Sequence, residues 1–127
     1  MPRILVIDDE DLPRRAVVRM LTAAGHDVRE AAGGVAGLGL WRDGGADLVL
    51  TDIAMPDMTG FELIDALRAE TRTVPIIAMS GSVIVSDLEV VRRAQALGAV
   101  YLLGKPFSLH ELMTAINSAL PPGPPIV

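Results

Sequence analysis

Apolar and polar positions along this chain fall into short continuous apolar runs that alternate with stretches of helical spacing. Arg3-Ile4-Leu5-Val6-Ile7 is a β-rich run with no alternation, the pattern of a strand buried on both faces of a parallel sheet. It stops at Asp8-Asp9-Glu10-Asp11. Val17, Met20, Leu21 and Ala24 then recur at helical spacing, with Pro13 near the start and Gly25 just past the end. His26 to Ala32 predicts a second strand, polar enough to lie at an edge. Val35 to Arg42 predicts a helix weakened by Gly37 and Gly39 and closed by Gly44-Gly45. Leu48 to Thr51 predicts strand three, with Asp52 at its end and Pro56, Asp57 and Gly60 turning the chain.

Thr59-Gly60-Phe61-Glu62 reads as a capping box that opens a third helix carrying Phe61, Leu63, Ile64 and Leu67. Pro75 to Met79 predicts strand four, ending at Ser80-Gly81. Ser86-Asp87-Leu88-Glu89 is a second capping box, for a helix with Leu88, Val91, Ala94 and Leu97 that stops at Gly98. Val100 to Leu103 predicts strand five, ending at Gly104-Lys105-Pro106. Ser108-Leu109-His110-Glu111 opens a last helix with an apolar stripe at Leu109, Leu112, Met113, Ile116 and Leu120. Five strands alternating with five helices predict an α/β domain. The expected fold is a five-stranded parallel sheet of order 2-1-3-4-5 with five helices on both faces, a flavodoxin-like doubly wound arrangement. Residues 1–120 form the expected domain, and residues 121–127 are a proline- and glycine-rich tail or the start of a linker.

Composition narrows the function classes. The chain of 127 residues has a net charge of −5 and no run of either sign, so it lacks the clustered basic patch of a nucleic-acid surface. It has no cysteine, which removes disulfides, thiolate metal sites and thiol redox chemistry. Its apolar runs are far shorter than a membrane span, and Asp8 to Asp11 interrupt any signal-peptide core, so the expected location is the cytoplasm.

The chemistry lies at the strand ends. Strand one ends in Asp8 and Asp9, strand three in Asp52, strand four in Ser80 and strand five in Lys105. In open α/β sheets, ligands bind beyond the carboxyl ends of the strands where strand order reverses, here between strands one and three. Three carboxylates converging there repel one another unless a cation sits among them. Mg²⁺ suits such a site, because it takes oxygen ligands and keeps several waters. A carboxylate beside it can act as a nucleophile toward phosphorus, with Lys105 and Ser80 facing the phosphoryl oxygens. Each residue has an ordinary alternative. Asp8, Asp9 and Glu10 could favour a helix N-terminus, Asp52 could cap a turn, Ser80 could fill one, and Lys105 could be an exposed lysine.

The sequence resembles the receiver domains of two-component response regulators, single-domain chemotaxis regulators among them. The matching stretches are Ile4 to Glu10, Thr51 to Gly60, Met79-Ser80-Gly81, Gly98-Ala99 and Lys105-Pro106-Phe107. The resemblance implies that Asp52 accepts phosphate from the phosphohistidine of a sensor histidine kinase or histidine phosphotransferase. It implies that Asp9 and Asp52, with the carbonyl of Ala54, ligate Mg²⁺, that Asp8 acts largely through water, and that Lys105 and Ser80 contact the phosphoryl group. A cis bond at Lys105-Pro106 is also implied, as is a downstream protein target or an output domain beyond this chain. Its implied state is a monomer or a weak phosphorylation-dependent dimer. Two positions depart from the family pattern: Gly81 follows Ser80 where alanine is usual, and Leu102 occupies the place of the switch aromatic. Tyr101 is one residue away and faces the opposite side of its strand.

Competing readings remain open at this point. A magnesium-dependent phosphatase of the haloacid dehalogenase type places nucleophile and acid two residues apart, whereas Asp8 and Asp9 are adjacent. A nucleotide-binding site needs a glycine loop after strand one, and the chain has acids there. An interaction domain that no longer accepts phosphate would not need all of Asp8, Asp9, Asp52, Ser80 and Lys105. Val83-Ile84-Val85 could mark a partner surface or pack under the next helix. His26 and His110 lack spaced partners for a metal, with His110 expected in solvent, and Trp41 reads as core or edge filler. No stretch reads as an output domain, so the chain is expected to be a single-domain regulator or a receiver excised from a longer protein.

Overall fold

The computed structural model describes residues 2–71, 73–81, 92, 96 and 101–120. Its elements run β1 (Arg3–Ile7), α1 (Asp11–Ala23), β2 (Asp27–Ala31), α2 (Gly34–Gly44), β3 (Leu48–Asp52), α3 (Gly60–Glu70), β4 (Ile76–Gly81), β5 (Tyr101–Lys105) and α4 (Leu109–Ala119). All neighbouring strands are parallel, in the order β2-β1-β3-β4-β5. The fold is therefore the expected doubly wound α/β sheet with β2 at one edge. Four of the five expected helices are described. The remaining one, with its capping box at Ser86, lies outside the described residues apart from Arg92 and Ala96, both helical. Gly98-Ala99, Val83 to Val85 and the tail 121–127 also lie outside them.

Strand alternation divides the core in two. Leu5, Ile7, Val49, Ile76 and Ala78 face α2 and α3, packing on Leu38, Phe61, Ile64 and Leu67. Ile4, Val6, Leu48, Leu50, Ile77 and Met79 face α1 and α4, packing on Val17, Leu21, Leu112 and Ile116. Both faces of β1 and β3 are covered, which explains their unbroken apolar runs. Along the last helix the buried positions are Leu112, Ala115 and Ile116, while Leu109 is half exposed. The expected stripe thus begins one turn late, because Leu109 is the first residue after the Ser108 cap. Trp41 is partly buried against the core, and His110 is exposed, both as expected.

The helix punctuation follows the sequence at α3 and α4. Thr59 and Ser108 each accept from the backbone of Glu62 and Glu111, and each glutamate reaches back to the cap. Helix α2 is held differently. Its N-cap, Gly33, has no side chain to offer, and Gly37 lies against Ile7 so closely that a Cβ would collide with it. Instead the Asp57 carboxylate, from the loop after β3, accepts from the amides of Gly34 (3.3 Å) and Val35 (3.1 Å). At the other end Arg29 donates to the carbonyls of Leu40 and Gly45, and Arg3 to those of Gly44 and Gly45. An anion at the N-terminus and two cations at the C-terminus complement the helix dipole, so tertiary contacts replace the missing propensity.

These contacts, the Val35 amide foremost, hold the Asp57 carboxyl below its usual range. A depressed carboxylate contributes stability that is present above its unfolded value, near 3.9, and lost as pH falls through the folded one. Asp57→Ala is expected to cost about 1 kcal/mol at neutral pH, the scale of an N-cap. In urea denaturation at several pH values, the gap from the parent should narrow below about pH 4. A gap that does not change with pH, or no gap, would contradict this account of the cap.

Candidate functional site

β1 stops at Ile7, so Asp8 and Asp9 stand just beyond its end and Asp52 is the last residue of β3. Register pairs Ile7 with Thr51 and Asp52 with Met79, which sets Asp52 between the acidic pair and Ser80. Gly60 makes the turn after Asp52 possible. Its amide donates to the Ile53 carbonyl at 2.7 Å, and a Cβ there would collide with the backbone of Asp52 and Ile53. Ala54, two residues past Asp52, lies in the exposed part of that loop. β5 runs on to Lys105, two residues further than its apolar run suggests, and ends in a cis Lys105-Pro106 bond.

The carboxylates of Asp8, Asp9 and Asp52 each bring an oxygen within 4.8 Å of the others, the single such acidic group among the described residues. Asp8 is fully buried and Asp52 is 5% exposed. Lys105 Nζ is 2.8 Å from Asp8 Oδ2 and 3.4 Å from Asp52 Oδ2. Burial pushes the Asp52 carboxyl up; the Lys105 charge opposes this, and the Asp8 charge adds to it. Burial by itself lowers Lys105, but its hydrogen bond to Asp8 and the charge of Asp52 outweigh that and leave it raised. The lysine is thus held as an ammonium. Ser80 is buried, and its hydroxyl lies 3.5 Å from the Gly81 carbonyl, long for a hydrogen bond.

Whether a divalent cation fits can be judged from Asp9. Its Oδ1 is buried with no hydrogen-bond partner, an expensive condition for a carboxylate oxygen. Asp8, by contrast, is fully committed. Its Oδ1 accepts from the Glu10 amide at 3.0 Å, its Oδ2 from Lys105, its amide donates to Ala31 at 3.1 Å and its carbonyl accepts from Arg14 at 2.9 Å. Three carboxylates against one ammonium leave two formal negative charges, and the donors are all hard oxygens. The residues fit Mg²⁺, with Asp9 and Asp52 offering oxygens and Asp8 in support.

The expected residues Asp8, Asp9, Asp52 and Lys105 therefore come together, and Ser80 is the last residue but one of β4, the strand beside Asp52. Arg14 is a residue the sequence reading passed over. Its side chain is buried on the inward face of α1, where it donates to Glu30 Oε1 at 2.9 Å, Asp11 Oδ1 at 2.7 Å and the Asp8 carbonyl. The Glu30 hydrogen bond, against the cost of burial, raises its already high pKa. A signal was present. Arg14, Val17 and Leu21 are spaced along one helix face, and a charge on that inward stripe calls for partners.

A doubly wound sheet with an acidic cluster and a lysine at its carboxyl edge defines a small class of α/β domains. Residues 4–117 match the response regulator receiver domain model, and the chain belongs to that family. It is 36% identical over 118 residues to the DNA-binding transcriptional regulator NtrC of Bradyrhizobium, covering 92% of this chain and 24% of that protein. It is 37% identical over 119 residues to the regulatory protein AtoC of Escherichia coli, covering 93% and 25%. The chain thus spans about a quarter of the length of these relatives. Among solved structures, the chemotaxis protein CheY4 of Vibrio cholerae superposes with a TM-score of 0.88 at 30% identity, covering 94% of this chain and 99% of that one. Receiver domains are phosphorylation-dependent modules of two-component signalling, which sets aside the phosphatase and nucleotide-binding readings.

Proposed function

We propose that Asp52 takes a phosphoryl group from the phosphohistidine of a sensor histidine kinase or histidine phosphotransferase, and that this changes the domain's affinity for a partner. The observation that carries this reading is the Asp52 carboxylate itself: nearly buried at the end of a central strand, 3.4 Å from Lys105, and flanked by two further carboxylates. An oxygen of Asp52 attacks phosphorus as the bond to the imidazole nitrogen breaks, and the ring, protonated at its other nitrogen, leaves neutral. Lys105 stays at hand for a phosphoryl oxygen, and the loosely held Ser80 hydroxyl turns to donate to another. Asp9, Asp52 and the Ala54 carbonyl, with Asp8 in support, would hold Mg²⁺, which when bound would supply positive charge to offset the phosphoryl oxygens. Water later hydrolyses the acyl phosphate and restores the carboxylate. The domain works in the cytoplasm and signals to a downstream protein or an attached output domain.

A small acyl phosphate with Mg²⁺ is expected to add one hydroxylamine-labile phosphate to the parent, seen by intact-mass spectrometry, and none to Asp52→Asn. Stoichiometric labelling of Asp52→Asn would overturn the assignment.

The readout differs from the family pattern at β5. Leu102 packs against the α2–α3 side of the core, Leu103 against the other, and Tyr101 is 40% exposed. Leu102 stands in the place of the switch aromatic, so fewer contacts distinguish the two states and the phosphorylation-driven shift is small. Tyr101 is a bystander. Binding of a phosphotransferase should respond to beryllofluoride in the parent and equally in Tyr101→Ala, with the response altered in Leu102→Ala. If Tyr101→Ala abolishes the response and Leu102→Ala keeps it, the tyrosine is the switch.

A further inference from the structure

Arg14 presents a problem that stability does not solve. Its side chain is 8% exposed, while its acidic partners Asp11 and Glu30 are 65% and 39% exposed. Ion pairs with such solvated partners contribute little, and burying the guanidinium on the helix face that also carries Val17 and Leu21 costs desolvation that an apolar residue would avoid. What an apolar residue cannot replace is the third bond, from Arg14 Nη1 to the Asp8 carbonyl at 2.9 Å.

That carbonyl belongs to the peptide that joins Asp8 to Asp9. A peptide is planar, so fixing its carbonyl fixes the plane and with it the direction in which the next residue leaves the chain. One plane earlier, the Asp8 amide is tied to Ala31 on β2, and Glu30, next to Ala31, orients the guanidinium through Nε. The two sides of the Asp8 backbone are thus referred to one strand. Beyond this clamp lies Asp9, whose buried Oδ1 points at no protein donor among the described residues.

We infer that Arg14 is a positioning residue for the cation site: its clamp on the Asp8–Asp9 peptide holds the Asp9 carboxylate open toward a divalent ion. The inference rests on the Mg²⁺ reading above. Residues that orient metal ligands from behind typically account for 10–100-fold in affinity. The effect also has a diagnostic sign. Arg14 is a cation close to a cation site, and it neutralises Asp11 and Glu30. Removing it should, on charge alone, tighten Mg²⁺ binding. A residue that only stabilised the fold would leave the affinity of the folded protein unchanged. Weaker binding is expected from positioning alone.

The experiment is an NMR titration of the parent and of Arg14→Met with Mg²⁺, at a temperature where urea denaturation shows both fully folded. Arg14→Met should bind Mg²⁺ about tenfold more weakly. Binding as tight as the parent's, or tighter, overturns the inference while leaving the Mg²⁺ site intact. A parent that binds no Mg²⁺ overturns the Mg²⁺ reading and this inference with it. If Arg14→Met does not fold, Arg14→Lys takes its place under the same readings. It keeps the charge but lacks the planar fork, so any change in affinity there is geometric.

Discussion

The structure depends on one electrostatic constraint: three carboxylates are gathered at the ends of two central strands, two of them buried, with one ammonium among them. Lys105 bridges Asp8 and Asp52 and is delivered by the far strand of the sheet, so the cluster closes only when β5 is in register beside β4. Lys105 satisfies Asp8 and touches Asp52 but leaves Asp9 Oδ1 unpaired. The protein keeps a local excess of negative charge at the place where strand order reverses. A fold selected only for stability would have replaced one of these acids.

Around that cluster, the backbone is fixed by contacts from several directions. Arg14 holds the peptide after Asp8, Gly60 admits the tight turn after Asp52, and Asp57 ties the same turn to the first amides of α2. The loop that follows the proposed phosphoacceptor is therefore joined to a glycine-diluted helix that depends on it for its cap. Any change in that loop is felt by α2 through a pair of backbone hydrogen bonds. Movement at the site and the stability of a neighbouring helix are coupled by construction.

Much of this was legible in the sequence, for identifiable reasons. β1 and β3 read clearly because burial on both faces demands unbroken apolar runs, and the Thr59 and Ser108 boxes read clearly because capping is local chemistry. The acids, Ser80 and Lys105 could be placed together once strand order was inferred, since a parallel sheet carries all its carboxyl ends to one edge. Long-range partners could not be read. Nothing near Gly33 shows that Asp57 caps α2, and nothing near Gly44 shows that Arg3 and Arg29 close it. Leu109 fits the apolar spacing yet faces solvent, because periodicity gives a face and not where its contact begins. Arg14 was visible as a charge on an inward stripe, but its bond to the Asp8 carbonyl depends on the loop geometry between them.

The central claim is that the gathered carboxylates are a cost to the empty protein that a divalent cation offsets. The direct measurement is the urea denaturation midpoint of the parent and of Asp9→Asn, each with and without Mg²⁺. Asp9→Asn should be at least as stable as the parent without the ion, because one of three mutually repelling carboxylates is gone, the one whose Oδ1 is buried without a partner. Mg²⁺ should stabilise the parent by a binding term that grows with its concentration, and stabilise Asp9→Asn far less. A mutant less stable than the parent in the absence of Mg²⁺, or equal stabilisation of both by the ion, would contradict the account.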